Sequence, residues 1–339
     1  MTTTTTMENL EQIHQTLSDI DGRIPDAIRV ALGLHRVSPP PAPGEDDDVA
    51  DFAISLLQPL ATEDGGDRGP ADPDVAASGL RIEWGSCYVP LHDHDAHFGD
   101  AIAGAFGVAD GVGQYMDAGV DAGAFSRGLM ASASAEVAGL EPGTPVCPHA
   151  LLERAYEKTA AAGAPGASTA VILSLAAGNA LAWAYIGDSA FAVLRGSKIV
   201  FLSTPQRHLS RTSRSKLHFS STPARRKEHL FSFNDPPFQL SAVGERSDSV
   251  VDAVVGQVAV RAGDVVVAGT DGLFDNVLDE QLERAVQMGT KLGFSPKNMA
   301  DIIAGVAYER SNQSSSRRLR MGKPDDITVL VAFVVPLDS

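Results

Sequence analysis

Asp95 in "HDHDAHF", Asp110 in "GAFGVADGVG", Asp188 in "YIGDSAF", Asp271 in "DVVVAGTDGLFDN" and Asp325 in "KPDDITVLVAFVV" each border an apolar, strand-like run. A single Asp-Gly pair is a turn signal and says little. The set says more, because strands packed in one sandwich can deliver their ends to the same rim. Carboxylates gathered there would repel and raise one another's pKa unless cations stood between them. Clustered oxygen ligands without Cys suit hard divalent ions, Mg²⁺ or Mn²⁺. Two such ions sharing a carboxylate can hold and ionise a water for in-line attack on phosphorus. Gly111 and Gly272, which follow Asp110 and Asp271, let the backbone approach an ion or its water shell.

The elements that must position these carboxylates begin near Leu80. "LRIEWGSCYVPL" reads as a strand, and "AIAGAFGVAD" as a strand ending in Asp110. "DAGAFSRGLMASASAEVAGL" and "CPHALLERAYEKTAAAG" read as helices. From Ala167 to Ser203 the chain is a series of short β-rich runs, with Gly178-Asn179 and Gly196-Ser197 at hairpin positions. "VVDAVVGQVAVRAGDVVVAGTDG" continues the sheet, two helices follow over 279–312, and "DDITVLVAFVVP" closes with a strand. Strands and helices arrive in blocks, not in βαβ alternation. That pattern predicts an α+β fold with antiparallel sheets and helices outside them.

Residues 1–79 differ in kind. A helix-like Leu10, Ile13, Leu17, Ile20 spacing gives way to "SPPPAPGEDDD" and "ATEDGGDRGPADPD". Residues 1–80 carry 15 acidic and 4 basic residues, which reads as an acidic, solvated and partly disordered extension. Residues 80–339 read as one domain that carries all five carboxylates. Within it, Ser203–Ser232 carries seven Lys/Arg against one Glu and reads as an exposed basic insertion.

Composition excludes several classes. With 339 residues and a net charge of −16, the chain is a poor match for phosphate-backbone binding, so no nucleic-acid partner is expected. No apolar run is long enough to span a membrane. Cys87 and Cys147 are not in a CxxC pair and read as two isolated, buried thiols of a reducing compartment. The N-terminus lacks the apolar region of a signal peptide, which points to the cytoplasm. No GxSxG elbow, P-loop or Rossmann glycine pattern occurs.

The ordered set "DAHF", "FGVADGVG", "GASTAVIL", "AYIGDSAFAVLRG", "FNDPPFQL", "GDVVVAGTDGLFDN" and "KPDDITVL" resembles the metal-dependent Ser/Thr protein phosphatases of the 2C type. It is most similar to their compact subgroup with "VADGVG" and "PFQL", many members of which act in mitochondria or plastids. The resemblance spans about Ile82 to Val335. It implies a four-layer αββα sandwich with a dinuclear metal site at one edge. It implies Asp110 as the carboxylate bridging two Mg²⁺ or Mn²⁺ ions, with the Gly111 carbonyl on one of them. Asp271 and Asp325 would ligate the other side of the pair, and Asp95 would hold metal-bound waters. Asp188 could join Asp271 around a third, weaker ion. Catalysis would run through Asp110 and Asp271 by way of the activated water, on phosphorylated protein substrates, in a monomer.

The chain departs from that pattern in three places. His94 precedes Asp95 where many members have Glu. Pro90 stands where many have a phosphate-gripping Arg, and Val112 where many have a His serving as general acid. His92, His94, His97 and Arg127 are candidate substitutes. The departures also raise an alternative, a phosphatase-like binding or regulatory module with weak turnover.

Overall fold

The computed structural model describes residues 79–113, 121–208, 235–242, 247–312 and 322–337. The strands are β1 (Leu80–Val89), β2 (Asp95–Asp100), β3 (Ala105–Asp110), β4 (Ala167–Ser168), β5 (Ala170–Ala176), β6 (Ala180–Ile186), β7 (Ala190–Arg195), β8 (Lys198–Leu202), β9 (Leu240–Ser241), β10 (Val254–Ala259), β11 (Val265–Gly269) and β12 (Ile327–Pro336). The helices are α1 (Gly123–Ala138), α2 (Pro148–Ala161), α3 (Asp271–Phe274), α4 (Asp279–Lys291) and α5 (Pro296–Ser311). One five-stranded sheet runs β1-β12-β11-β7-β8 and the other β10-β6-β5-β3-β2, with antiparallel pairing throughout.

Both hairpin dipeptides act as turns. Gly178 and Asn179 have φ of 76° and 57°, and Gly196 and Ser197 have 54° and 61°. Positive φ at both central positions is what a type I′ turn requires. These turns fix the β5–β6 and β7–β8 registers.

The central strands β5, β7, β11 and β12 are almost wholly apolar and mostly buried, because the middle of each sheet is covered on both faces. Val171 and Leu173 of β5 join Phe106, Val108, Phe191, Val193, Val266 and Leu330 in the layer between the sheets. The alternate residues Ala170 and Ile172 face Phe125, Leu129 and Leu152 of α1 and α2. On the other side, Val265, Val267, Val329 and Val331 pack against Leu282, Val286, Ile303 and Val306 of α4 and α5. The result is the expected αββα sandwich. Each fully buried Val, Leu or Phe contributes about 1.5–3 kcal/mol to holding the layers together.

Cys87 is buried as expected and is not in a disulfide, but Cys147 is exposed. It stands just before α2, whose first residue, Pro148, starts the helix where no N–H is needed. Residues 1–78 lie outside the described residues, as do 209–234 of the basic segment. Of the segment's described residues, 203–208, Thr204 and His208 are exposed, while others are tied into the sheets. Ser203 is buried in a backbone bond to Phe191, and Arg207 pairs with Pro237 in a β-bridge.

Candidate active site

Antiparallel pairing brings the Asp-bearing strand ends to one edge. β3 ends where β2 begins, so Asp110 and Asp95 are directly opposed in register. Such cross-strand neighbours have Cβ atoms about 5 Å apart, and like charges there repel. β11 ends beside the start of β12, which puts Asp271 next to Asp325. Asp188 lies in the β6–β7 turn, reached through Gly187 at φ 97°. A cavity of about 520 Å³ opens at this edge. Its lining includes Asp110, Gly111, Asp188, Asp271 and Asp325, together with His92, His94, Arg207 and Lys323. Five of the six residues assigned to the metals thus share one pocket.

The sixth, Asp95, lies beneath the pocket wall at 4% exposure. Its Oδ2 accepts from the hydroxyls of Thr270 and Thr328, each at 2.8 Å, which ties one sheet to the other. Its Oδ1 is buried without a partner. Asp271, at the first turn of α3, likewise keeps a buried, unpartnered Oδ1. An orphaned carboxylate oxygen costs more than a hydrogen bond normally returns, so two of them in one site call for a cation.

The electrostatics point the same way. Burial, then the charges of Asp95, Asp271, Asp325 and Asp188, push the Asp110 carboxyl well above the usual range. Burial and the nearby Asp326 do the same to Asp95. Asp188 is pushed up to about 7, first by burial and then by Asp271, with Arg207 opposing. Asp275 and Asp325 are also raised, by burial and by Asp271.

Sequence reasoning missed five contributors. Lys323 Nζ bonds Asp271 and lies 3.1 Å from Asp325 and 3.5 Å from Asp275. Its position is fixed by Asn276, which donates to the Lys323 carbonyl at 2.8 Å and accepts from its N–H at 2.9 Å. Arg207 Nη2 lies 2.9 Å from Asp188 and 3.4 Å from Asp275. Asp275 falls four residues after Asp271, one helical turn on, a spacing that could have flagged it. Asp326 turns away from the pocket. It accepts backbone N–H groups from Leu91, from His92 at 2.7 Å, from Asp93 at 3.2 Å and from His94 at 2.8 Å. That carboxylate holds the 91–94 turn that delivers Asp95.

Of the candidate substitutes, His92 and His94 line the pocket, their rings stacked 5.4 Å apart. His97 instead bonds the Ser86 hydroxyl at 3.0 Å. Arg127 is tied to the Asp93 carbonyl at 2.7 Å and to Asp121, outside the pocket lining. Two glycines are required by close approach. A Cβ on Gly111 would lie 2.4 Å from the Ala122 carbonyl, and one on Gly272 would lie 2.0 Å from the Asp326 carbonyl.

No family model matches the chain. It is 47% identical to protein phosphatase 2C 23 of Oryza sativa subsp. japonica over 350 residues, covering 98% of this chain and 99% of that one. Among solved structures it is similar to the photosystem II phosphatase PBCP, with a TM-score of 0.58 and 26% identity over 74% of this chain and 98% of that one. The fold also matches the catalytic domain of the serine/threonine protein phosphatase PstP, solved in complex with 2 manganese ions. There the TM-score is 0.54 and the identity 22%, over 76% of this chain and all of that one.

Proposed function

The chain belongs to the protein phosphatase 2C family, the metal-dependent phosphoprotein phosphatases, and from that premise we propose that its Asp-lined pocket is a dinuclear hydrolytic site. The activity is hydrolysis of phosphoserine and phosphothreonine in proteins, and the regulatory-module alternative is not favoured. In our reading Asp110, the Gly111 carbonyl, Asp271 and Asp325 would hold two divalent ions. Asp95 holds the shell beneath. Bound there, Mg²⁺ or Mn²⁺ would supply positive charge and an acidified water for in-line attack.

The observation that carries this reading is charge. Among the described residues, Asp95, Asp110, Asp188, Asp271, Asp275 and Asp325 face two cationic side chains, Arg207 and Lys323. Fully ionised, that leaves an excess of four negative charges, which two divalent ions would cancel. The donor set is all oxygen, as hard ions prefer. Manganese is the first ion to test, since PstP binds it.

The chain's own residues do the remaining work. Asp110 and Asp271 would orient the attacking water. His92 and His94 form the pocket wall on which the phosphorylated residue rests, in place of the Arg and His absent at Pro90 and Val112. Among the described residues no helix is long and apolar enough to cross a membrane. We propose a monomer, to be checked by light scattering, and among cytoplasm, mitochondrion and plastid we favour the plastid on the likeness to the photosystem II phosphatase, to be checked by imaging a fluorescent fusion.

The test of the site is Asp110→Asn and Asp271→Asn. Each should reduce Mn²⁺-dependent hydrolysis of a phosphothreonine peptide by about two orders of magnitude or more while the circular dichroism spectrum is kept. Near-normal activity in both would refute the assignment.

A further inference from the structure

We propose that Arg207 is a built-in cation that closes the Asp188 side of the pocket to divalent metal. The inference rests on the two-ion reading above and concerns the third, weaker ion that the family resemblance attaches to Asp188 and Asp271.

One nitrogen of Arg207 stands where such an ion would. Its Nη2 is 2.9 Å from Asp188 Oδ2, 3.4 Å from Asp275 Oδ2 and 4.0 Å from Asp271 Oδ2. The Arg207 side chain is only 7% exposed and that of Asp188 4%, so neither charge is answered by solvent. A guanidinium stays charged at any pH a protein tolerates. A divalent ion entering among these three carboxylates would meet that positive charge at contact distance.

Arg207 is also held in place. Gln206, beside it, donates its N–H to the Gly187 carbonyl at 2.8 Å and accepts the Gly187 N–H on Oε1 at 3.1 Å. Gly187 precedes Asp188, so these two bonds lock the arginine's backbone to the turn that carries its carboxylate partner. Gln206 Nε2 bonds the Asp252 carbonyl at 2.9 Å. On the other side, His208 donates its N–H to the Pro236 carbonyl at 2.8 Å. Its ring stacks on Phe238 at 4.1 Å, with 5° between the planes. Removing Arg207 from the pocket would mean breaking this clamp.

Lys323 is a contrast. Its side chain is 33% exposed, and an ammonium on a flexible four-carbon stem can yield Asp271 and Asp325 to incoming ions. The two cations therefore divide the pocket into a side that exchanges its charge for metal and a side that does not.

The test counts bound Mn²⁺ on the full chain by calorimetry and by electron paramagnetic resonance. Asp188→Asn should leave the wild-type ion count unchanged. Arg207→Ala should bind one additional, weaker Mn²⁺, and this ion should disappear in the Arg207→Ala, Asp188→Asn double variant. Arg207→Lys should keep the wild-type count. If Asp188→Asn removes an ion from the otherwise native chain, the proposal is overturned, and this arm needs no arginine variant to fold. An Arg207→Ala protein with the wild-type count also overturns it. A wild-type chain that binds no Mn²⁺ would overturn the dinuclear site itself, and this proposal with it.

Discussion

Asp325 and Asp326 are adjacent and chemically identical, yet their substitution by Asn should fail in opposite ways. Asp326 Oδ1 accepts the amides of Leu91, His92 and Asp93, and Oδ2 accepts that of His94. In Asp326→Asn the remaining oxygen can keep the first three. The new NH₂ group must then face the His94 N–H, donor against donor. An orphaned buried N–H costs about 1–3 kcal/mol, and bonds losing a charged acceptor weaken by about 1 kcal/mol each. Because three of these bonds share one oxygen, they are not independent, and the total should be about 3–5 kcal/mol. For a domain of this size that lowers the melting temperature by on the order of 10 °C. Asp325 lines the pocket with a side chain a quarter exposed, so Asp325→Asn should change stability by less than about 1 kcal/mol while abolishing Mn²⁺-dependent turnover. The assay is a thermal melt in EDTA alongside phosphopeptide hydrolysis for both variants. If Asp326→Asn melts with the wild type, or if the two variants lose equal stability, the division of labour is wrong.

Asp95, Asp110, Asp188, Asp275 and Asp325 all have raised folded pKa values, so their protonated forms favour the fold. That contribution is full below the ordinary carboxyl range and is lost as pH rises through the folded values, through about 7 for Asp188. In EDTA the cluster should therefore stabilise the protein more at about pH 5 than at about pH 8, and the Mn²⁺-induced rise in melting temperature should be larger at the higher pH. Phe191→Ala should cost about 3–5 kcal/mol in urea unfolding, since Phe191 is fully buried among Trp183, Tyr185 and Phe201. A chain beginning at Gly79 should fold and bind Mn²⁺, because β1 starts at Leu80 in register with Pro336; its failure to yield soluble protein would show that residues 1–78 dock on the sandwich.

Much of this was legible before the structure. Apolar runs ending in Asp gave the strand ends, and Gly178-Asn179 and Gly196-Ser197 gave the hairpins, because turn chemistry and periodicity are local. The charge balance was not legible. Arg207 sits in a Ser- and Arg-rich stretch that reads as surface, and nothing near it in sequence announces that its partners are Asp188 and Asp275. Lys323 was visible beside Asp325, but its clamp, Asn276, lies 47 residues away. Neither could composition tell which of Asp325 and Asp326 faces the pocket. That follows from strand register, which places one on the rim and aims the other at the 91–94 turn.

The β1–β12 ladder bears on how the enzyme is made. β12 follows the other described strands in sequence, yet it is the second strand of its sheet, lying between β1 and β11 across ten paired positions with β1. While the nascent chain lacks residues 327–336, β1 has no neighbour and β11 is bare on one side. The β10-β6-β5-β3-β2 sheet has all its strands much earlier and can form with its helices first. Asp325, immediately before β12, can reach Asp110 and Asp271 only when the last strand docks. The acidic pocket is thus completed only when β12 docks, after the other sheet already has all its strands.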